Sequence, residues 1–235
     1  MASTLMLAAA PTRAQTPPPS GPSAPAPPES SRTNLKKVMT DSFRLLLIEH
    51  ATRIAIQGKT RRELDGPFFS DYVRSVRAPQ QWQDTDGFLV NYVGHPIHGA
   101  AAAFIWVEHS PESRQQQFAL SADYFRSRWA PVIASAVYSI QFEIGLISEA
   151  SIGNVGMRPE TTGWVDYVMT PVGALGLMVG EDALDRVMAR IEARLQNRFG
   201  RMILRMVFSP SRAMSNFAMG RAPWHRDMRP IDWKK

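Results

Sequence analysis

Apolar residues recur at helical spacing along most of the chain. Leu35, Val38, Met39, Phe43, Leu46, Leu47 and Ile54 share a stripe with His50, which predicts an amphipathic helix over residues 34–58, capped by Asn34 or by Thr40 and Asp41. A short helix is expected near residues 68–76, between turns at Gly66-Pro67, Ala78-Pro79 and 84–87. The run NYVGHPIHGAAAAFIWVEH, residues 91–109, predicts a helix entered through Gly94 and His95, with Pro96 in its first turn and Gly99 allowing close helix approach. Residues 129–147 are apolar on most sides, with Pro131 expected early in the helix and Ser135, Ser139 and Glu143 repeating every four residues. Pro171 predicts an end or kink in the helix that follows Thr162. Gly173, Gly176 and Gly180 offer that helix a smooth face for a neighbour. From Asp182 onward, Leu184, Val187, Met188, Ile191, Leu195 and Phe199 form one stripe, and Arg186, Arg190, Arg194 and Arg198 a second, solvated one.

Together these patterns predict an all-α fold: a compact helical bundle with the apolar helix at residues 129–147 at its centre, forming a single domain over residues 34–235. Residues 1–33 differ in kind. Leu5 to Ala10 resemble the remnant of a signal peptide, with Thr12 and Ala14 as small residues before a cleavage point, although the early Lys or Arg of that pattern is missing. The Pro-rich segment from Thr16 to Ser31 reads as a disordered linker. Export to the cell envelope, periplasmic or membrane-associated, is the expectation. Residues 129–147 approach spanning length, but Gln141 and Glu143 interrupt them, and Asp166 and Pro171 break the later run. A water-soluble or peripherally attached bundle is therefore favoured over a membrane-spanning one.

Composition narrows the chemistry. The 235 residues are 44% hydrophobic, enough for a sizeable core, and include no cysteine. Disulfides, thiolate zinc sites and cysteine nucleophiles are excluded, so any metal must be held by His, Asp or Glu. Of the net charge of +6, the excess lies at the C-terminal end, where residues 185–235 contain twelve Lys or Arg against four Asp or Glu. Such a region suits anionic lipid or an envelope protein. Nucleic acid is an unlikely partner, because no helix-turn-helix, zinc-finger or base-stacking signature accompanies the charge.

The candidate chemistry consists of ionisable residues in apolar surroundings. Glu143 and Glu149 lie in or beside the apolar run, and burial of an unpartnered carboxylate costs several kcal/mol. His95 and His98, three residues apart, are candidates to converge on a divalent metal, with Glu143 or Glu149 completing the ligands. His98 and His109 would stand roughly 16 Å apart on one helix and cannot share an ion. Asp166 joins the candidates, and Asn154, in the turn after the helix, is expected nearby. Asp84 and Asp86 read as a turn, since no Glu follows at calcium-loop spacing. Ser148 and Ser151 lack the strand–turn–helix elbow of a serine nucleophile.

The segments NYVGHPIHGA, QFEIGLISEASIGNVG, WVDYVMTPVGA, GEDALDR and SPSRAMSNFAMGRAPWHRD resemble an uncharacterised bacterial family, domain of unknown function 3943, over about residues 91–227. The resemblance implies a bacterial, often exported, helical protein and transfers no catalytic residue. Two functions are then open. One is a non-catalytic envelope protein whose His95, Glu143, Glu149 and Asp166 form a buried network fixing helix register. The other is a metal-dependent hydrolase or lipid-modifying enzyme using His95, His98 and Glu143 or Glu149.

Overall fold

Asn34 begins the folded chain by accepting the Lys37 amide at 3.1 Å, and so caps α1, Leu35–Ile56. The computed structural model describes residues 32–77, 81–84, 86–152 and 163–231. The expectations for the leader through Ser31, the Ala78-Pro79 turn, Asn154 and Thr162 lie outside those residues. After α1 come α2, Gly58–Glu63, and α3, Phe68–Arg77. A π-helical turn over Val90–Gly94 then runs directly into α4, His95–His109. The later helices are α5 (Pro111–Gln115), α6 (Ala122–Ile144), α7 (Trp164–Arg194), α8 (Arg198–Phe208) and α9 (Pro210–Ala218).

The central apolar helix is α4 rather than the 129–147 run, which keeps one face at the surface. Its run of alanines and small residues lets α6, α7, α9 and α1 all pack on it, and Ala100, Ala101, Ala103, Phe104 and Ile105 are fully buried. Two glycines set the closeness to α7. A Cβ at Gly99 would meet the Thr170 carbonyl oxygen at 2.3 Å, and one at Gly173 would meet the Pro96 ring at 2.4 Å. Gly176 and Gly180 face open space instead, so the expected small-residue face is used only at Gly173.

Helix α6 starts earlier than its apolar run suggests. Ser121 caps it by accepting the Tyr124 amide, which places Pro131 inside the helix rather than in its first turn. Proline leaves the carbonyl four residues back without its amide. That carbonyl, Ser127 O, accepts the Ser113 hydroxyl at 3.0 Å. The buried stripe of α6 is the predicted Ser135, Ser139 and Glu143, and Trp129, Ile133, Val137 and Ile140 remain at the surface.

Helix α7 does not end at Pro171 but continues through it. Packing against α4 and α6 outweighs the loss of one backbone bond. In its second half the arginine row is solvated as expected at Arg186, Arg190 and Arg194, but the apolar stripe is not the buried face. Glu181, Asp182, Met188 and Glu192 are buried, and Leu184, Val187 and Ile191 are exposed. Arginines from other elements explain the buried acids. Arg205 of α8 donates to both oxygens of Glu192 at 2.9 and 2.7 Å, Arg128 and Arg212 bind Asp182, and Arg229 binds Asp185 and Glu192. Arg205 also donates to the carbonyls of Trp224 and Arg229, which ties the C-terminal segment to the body. Among the described residues no helix is long and apolar enough to cross a membrane.

Candidate metal centre

Three helices deliver one side chain each to a common point. His95 enters from the first turn of α4, Glu143 from the last turn of α6 and Asp166 from the first turn of α7. One ligand atom from each lies within 4.8 Å of the others, and all three residues are buried. His95 Nε2 stands 3.3 Å from Asp166 Oδ1, and Thr170 Oγ1 lies 3.4 Å from His95 Nδ1 on the other edge of the ring. Such a partner fixes ring orientation, as outer partners do for metal-bound histidines.

Two devices set these positions. The π-helical turn before His95 aims the imidazole at the start of α7, and π-helical turns concentrate at functional sites. A parallel bridge between Gln81 and Gly163 draws a loop onto the N-terminus of α7, with the Trp164 amide donating to Gln81 O and the Val165 amide to Trp82 O. A side chain at Gly163 would strike the backbone of Asp84 at 2.8 Å. The bridge therefore seats Asp84 against Asp166, and the Asp84 carboxylate is held by the Asn91 side-chain amide at 2.7 Å and the Asp86 amide at 3.0 Å.

The electrostatics follow from this crowding of acids. Burial, with the Glu143 charge second, pushes the Asp166 carboxyl up to about 9; Asp84 and Asp86 add to the rise. Burial likewise raises Glu143 to about 8, against the lowering influence of Arg53. Burial, with His98 and Arg53 nearby, lowers His95 to about 3, so its imidazole is neutral at physiological pH. Among the described residues one oxygen of each carboxylate, Glu143 Oε1 and Asp166 Oδ1, is buried without a hydrogen-bond partner, the 3.3 Å approach of His95 Nε2 to Asp166 Oδ1 not having hydrogen-bond geometry. A neutral imidazole beside two under-satisfied carboxylates is a donor set for a transition-metal dication such as zinc, manganese or iron(II).

The remaining sequence candidates go elsewhere. Glu149 is paired with Arg53, which also reaches Asp86 at 3.6 Å, so it is a charge partner rather than a ligand. His98 lies beside His95, with ring centroids 5.9 Å apart, but is not one of the three convergent ligands. It faces Glu49 at 3.8 Å, and Glu49 accepts the Tyr138 hydroxyl at 2.5 Å. Phe142 touches both histidines edge-on and stacks on His50 with ring centroids 4.7 Å apart. His109 binds Asp41 at 2.7 Å and links α4 to α1. Ser148 and Ser151 are occupied with each other's backbone in a closed turn. Asp84, Asp86, Asn91 and Arg53 are the participants that the sequence pattern misses. The two aspartates carry only a turn signature, and the one available hint was two acids beside the π-helical entry. Comparison with known protein families, with curated proteins and with solved structures finds no match.

Proposed function

We propose that this chain is a divalent-metal protein of the cell envelope, with His95, Glu143 and Asp166 as the ligands. The observation that carries the reading is the pair of buried carboxylates that meet beside a neutral imidazole with an oxygen of each unsatisfied. A network built only to fix helix register should have its members satisfied. A dication supplies what both oxygens lack and favours their ionised forms. The envelope location rests on the signal-like, Pro-rich leader.

Three protein ligands are the number found in catalytic zinc sites, which keep a position for water, whereas structural sites close all four with protein atoms. Metal-activated hydrolysis is therefore the reaction class that this set suits. His95 would hold the ion through Nε2, with Thr170 behind its other nitrogen, and Asp84 is placed to take a proton beside Asp166.

The test is elemental analysis of the full chain purified after growth with zinc, manganese and iron, together with thermal unfolding in each metal. One equivalent of metal is expected, and a metal present at a hundred times its Kd adds about 2.7 kcal/mol to stability. E143Q and D166N should lose the metal, and H98A should keep it. Absence of bound metal, with no rise in Tm for any of the three ions, overturns the proposal in favour of a purely structural network.

A further inference from the structure

A second charged interior lies among the end of α4, α5, α7, α9 and the C-terminal segment. It is a cavity of about 810 Å³, inside the roughly 300–1,000 Å³ range of small-ligand sites. Its walls hold seven arginines against four carboxylates, Glu108, Asp182, Asp185 and Asp227. Several of the arginines are matched: Arg128 and Arg212 to Asp182, Arg221 to Glu108 at 2.8 Å, and Arg229 to Asp185.

Arg226 is not matched in the same way. Its side chain is 8% exposed. It donates Nη1 to the His225 carbonyl at 2.7 Å and reaches Asp185 only at 3.5 Å, and among the described residues its buried Nη2 has no acceptor. Burial first, then the nearby Arg212, holds its pKa down to about 10. At the rim, Arg186 is exposed, with its guanidinium 5.6 Å from the Phe118 ring centroid.

We propose that this cavity binds a phosphate-bearing anion, with Arg226 as the inner contact and Arg186 at the entrance. A phosphate group brings up to two negative charges and several acceptor oxygens, which answers both the surplus of arginine and the fork geometry of guanidinium donors. The same chemistry is present in a free phosphate and in the headgroup of an anionic lipid.

The experiment uses the full chain. Inorganic phosphate and pyrophosphate are titrated calorimetrically at constant ionic strength, and flotation is measured with phosphatidylglycerol and with phosphatidylcholine vesicles. Binding that weakens about tenfold or more in R226Q and in R186Q, with R190Q behaving as the parent, supports the site. R186Q alters an exposed side chain and so stands even where R226Q fails to fold. Saturable binding of the free ions identifies a soluble ligand, and binding confined to phosphatidylglycerol vesicles identifies a headgroup. Loss of neither interaction in R186Q, or absence of both in the parent chain, overturns the proposal.

Discussion

Glu143 and Glu149 stand six residues apart in the same apolar surroundings, yet they are held in opposite ways. Glu149 has the guanidinium of Arg53. Glu143 has other carboxylates, and burial keeps its proton on up to about pH 8. Substitution should separate them. At pH 7 and without metal, Gln is close in shape and charge to the protonated Glu143, so E143Q is expected to unfold within about 0.5 kcal/mol of the parent. E149Q leaves a mostly buried arginine with only the longer Asp86 contact and the Gln57 side chain, and loss of a charge-assisted hydrogen bond of this kind costs about 1.5–3 kcal/mol. Urea unfolding of both variants checks this, and equal losses would contradict the assignment of charge at the site.

At the level of elements, the junction of α4 with α7 depends on contacts that only glycine permits. G99A is expected to lower stability by about 1–3 kcal/mol, because the new methyl group meets a backbone oxygen rather than a movable side chain. G176A lies on the same α7 in open space, and should raise stability by about 0.5–1 kcal/mol through helix propensity. Thermal denaturation of the pair gives opposite signs if α4 and α7 meet as described. Helix positions were legible because the apolar period repeats over many residues. The two prolines were not: the Ser127 carbonyl freed by Pro131 is answered by Ser113, fourteen residues away in the chain, and no local pattern records such a partner.

For the whole molecule, the buried ionisable groups set the dependence of stability on pH. Glu143 and Asp166 rise from 4.5 and 3.8 to about 8 and about 9 on folding. Their contribution is complete below pH 4 and is lost as pH rises through those values. Glu49 and Glu181, also raised by burial, act in the same sense. His95 and His50 fall from 6.5 to about 3 and about 4, so their contribution is present above 6.5 and is lost as pH falls through the lower values. Between about pH 4.5 and 6.5 the two sets oppose each other. Above 6.5 only the carboxylates act, and the Tm of the metal-free protein should fall steadily to about pH 9. A Tm series from pH 5 to 10 measures the slope; E143Q should make it shallower, and bound metal, which favours the ionised carboxylates, should flatten or reverse it.

Periodicity by itself determined the all-α class, the order of the main helices, the entry of α4 at Gly94 and His95, and the buried Ser135, Ser139 and Glu143 stripe, because each is a local consequence of spacing along one helix. Composition determined that metal ligands must be His, Asp or Glu. Tertiary structure decided which of two nearby histidines meets Glu143, since His95 and His98 differ by less than one helical turn and only the packing of α6 and α7 against α4 turns one towards Glu143 and Asp166 and the other towards Glu49. It also decided that Asp84 and Asp86 belong to the centre, through a bridge that pairs residues more than eighty positions apart. The buried acids of α7 have the same origin. The arginine row is solvated as its spacing indicates, but only the arginines contributed by α6, α8, α9 and the C-terminal segment make Glu181, Asp182 and Glu192 the interior in place of Leu184, Val187 and Ile191.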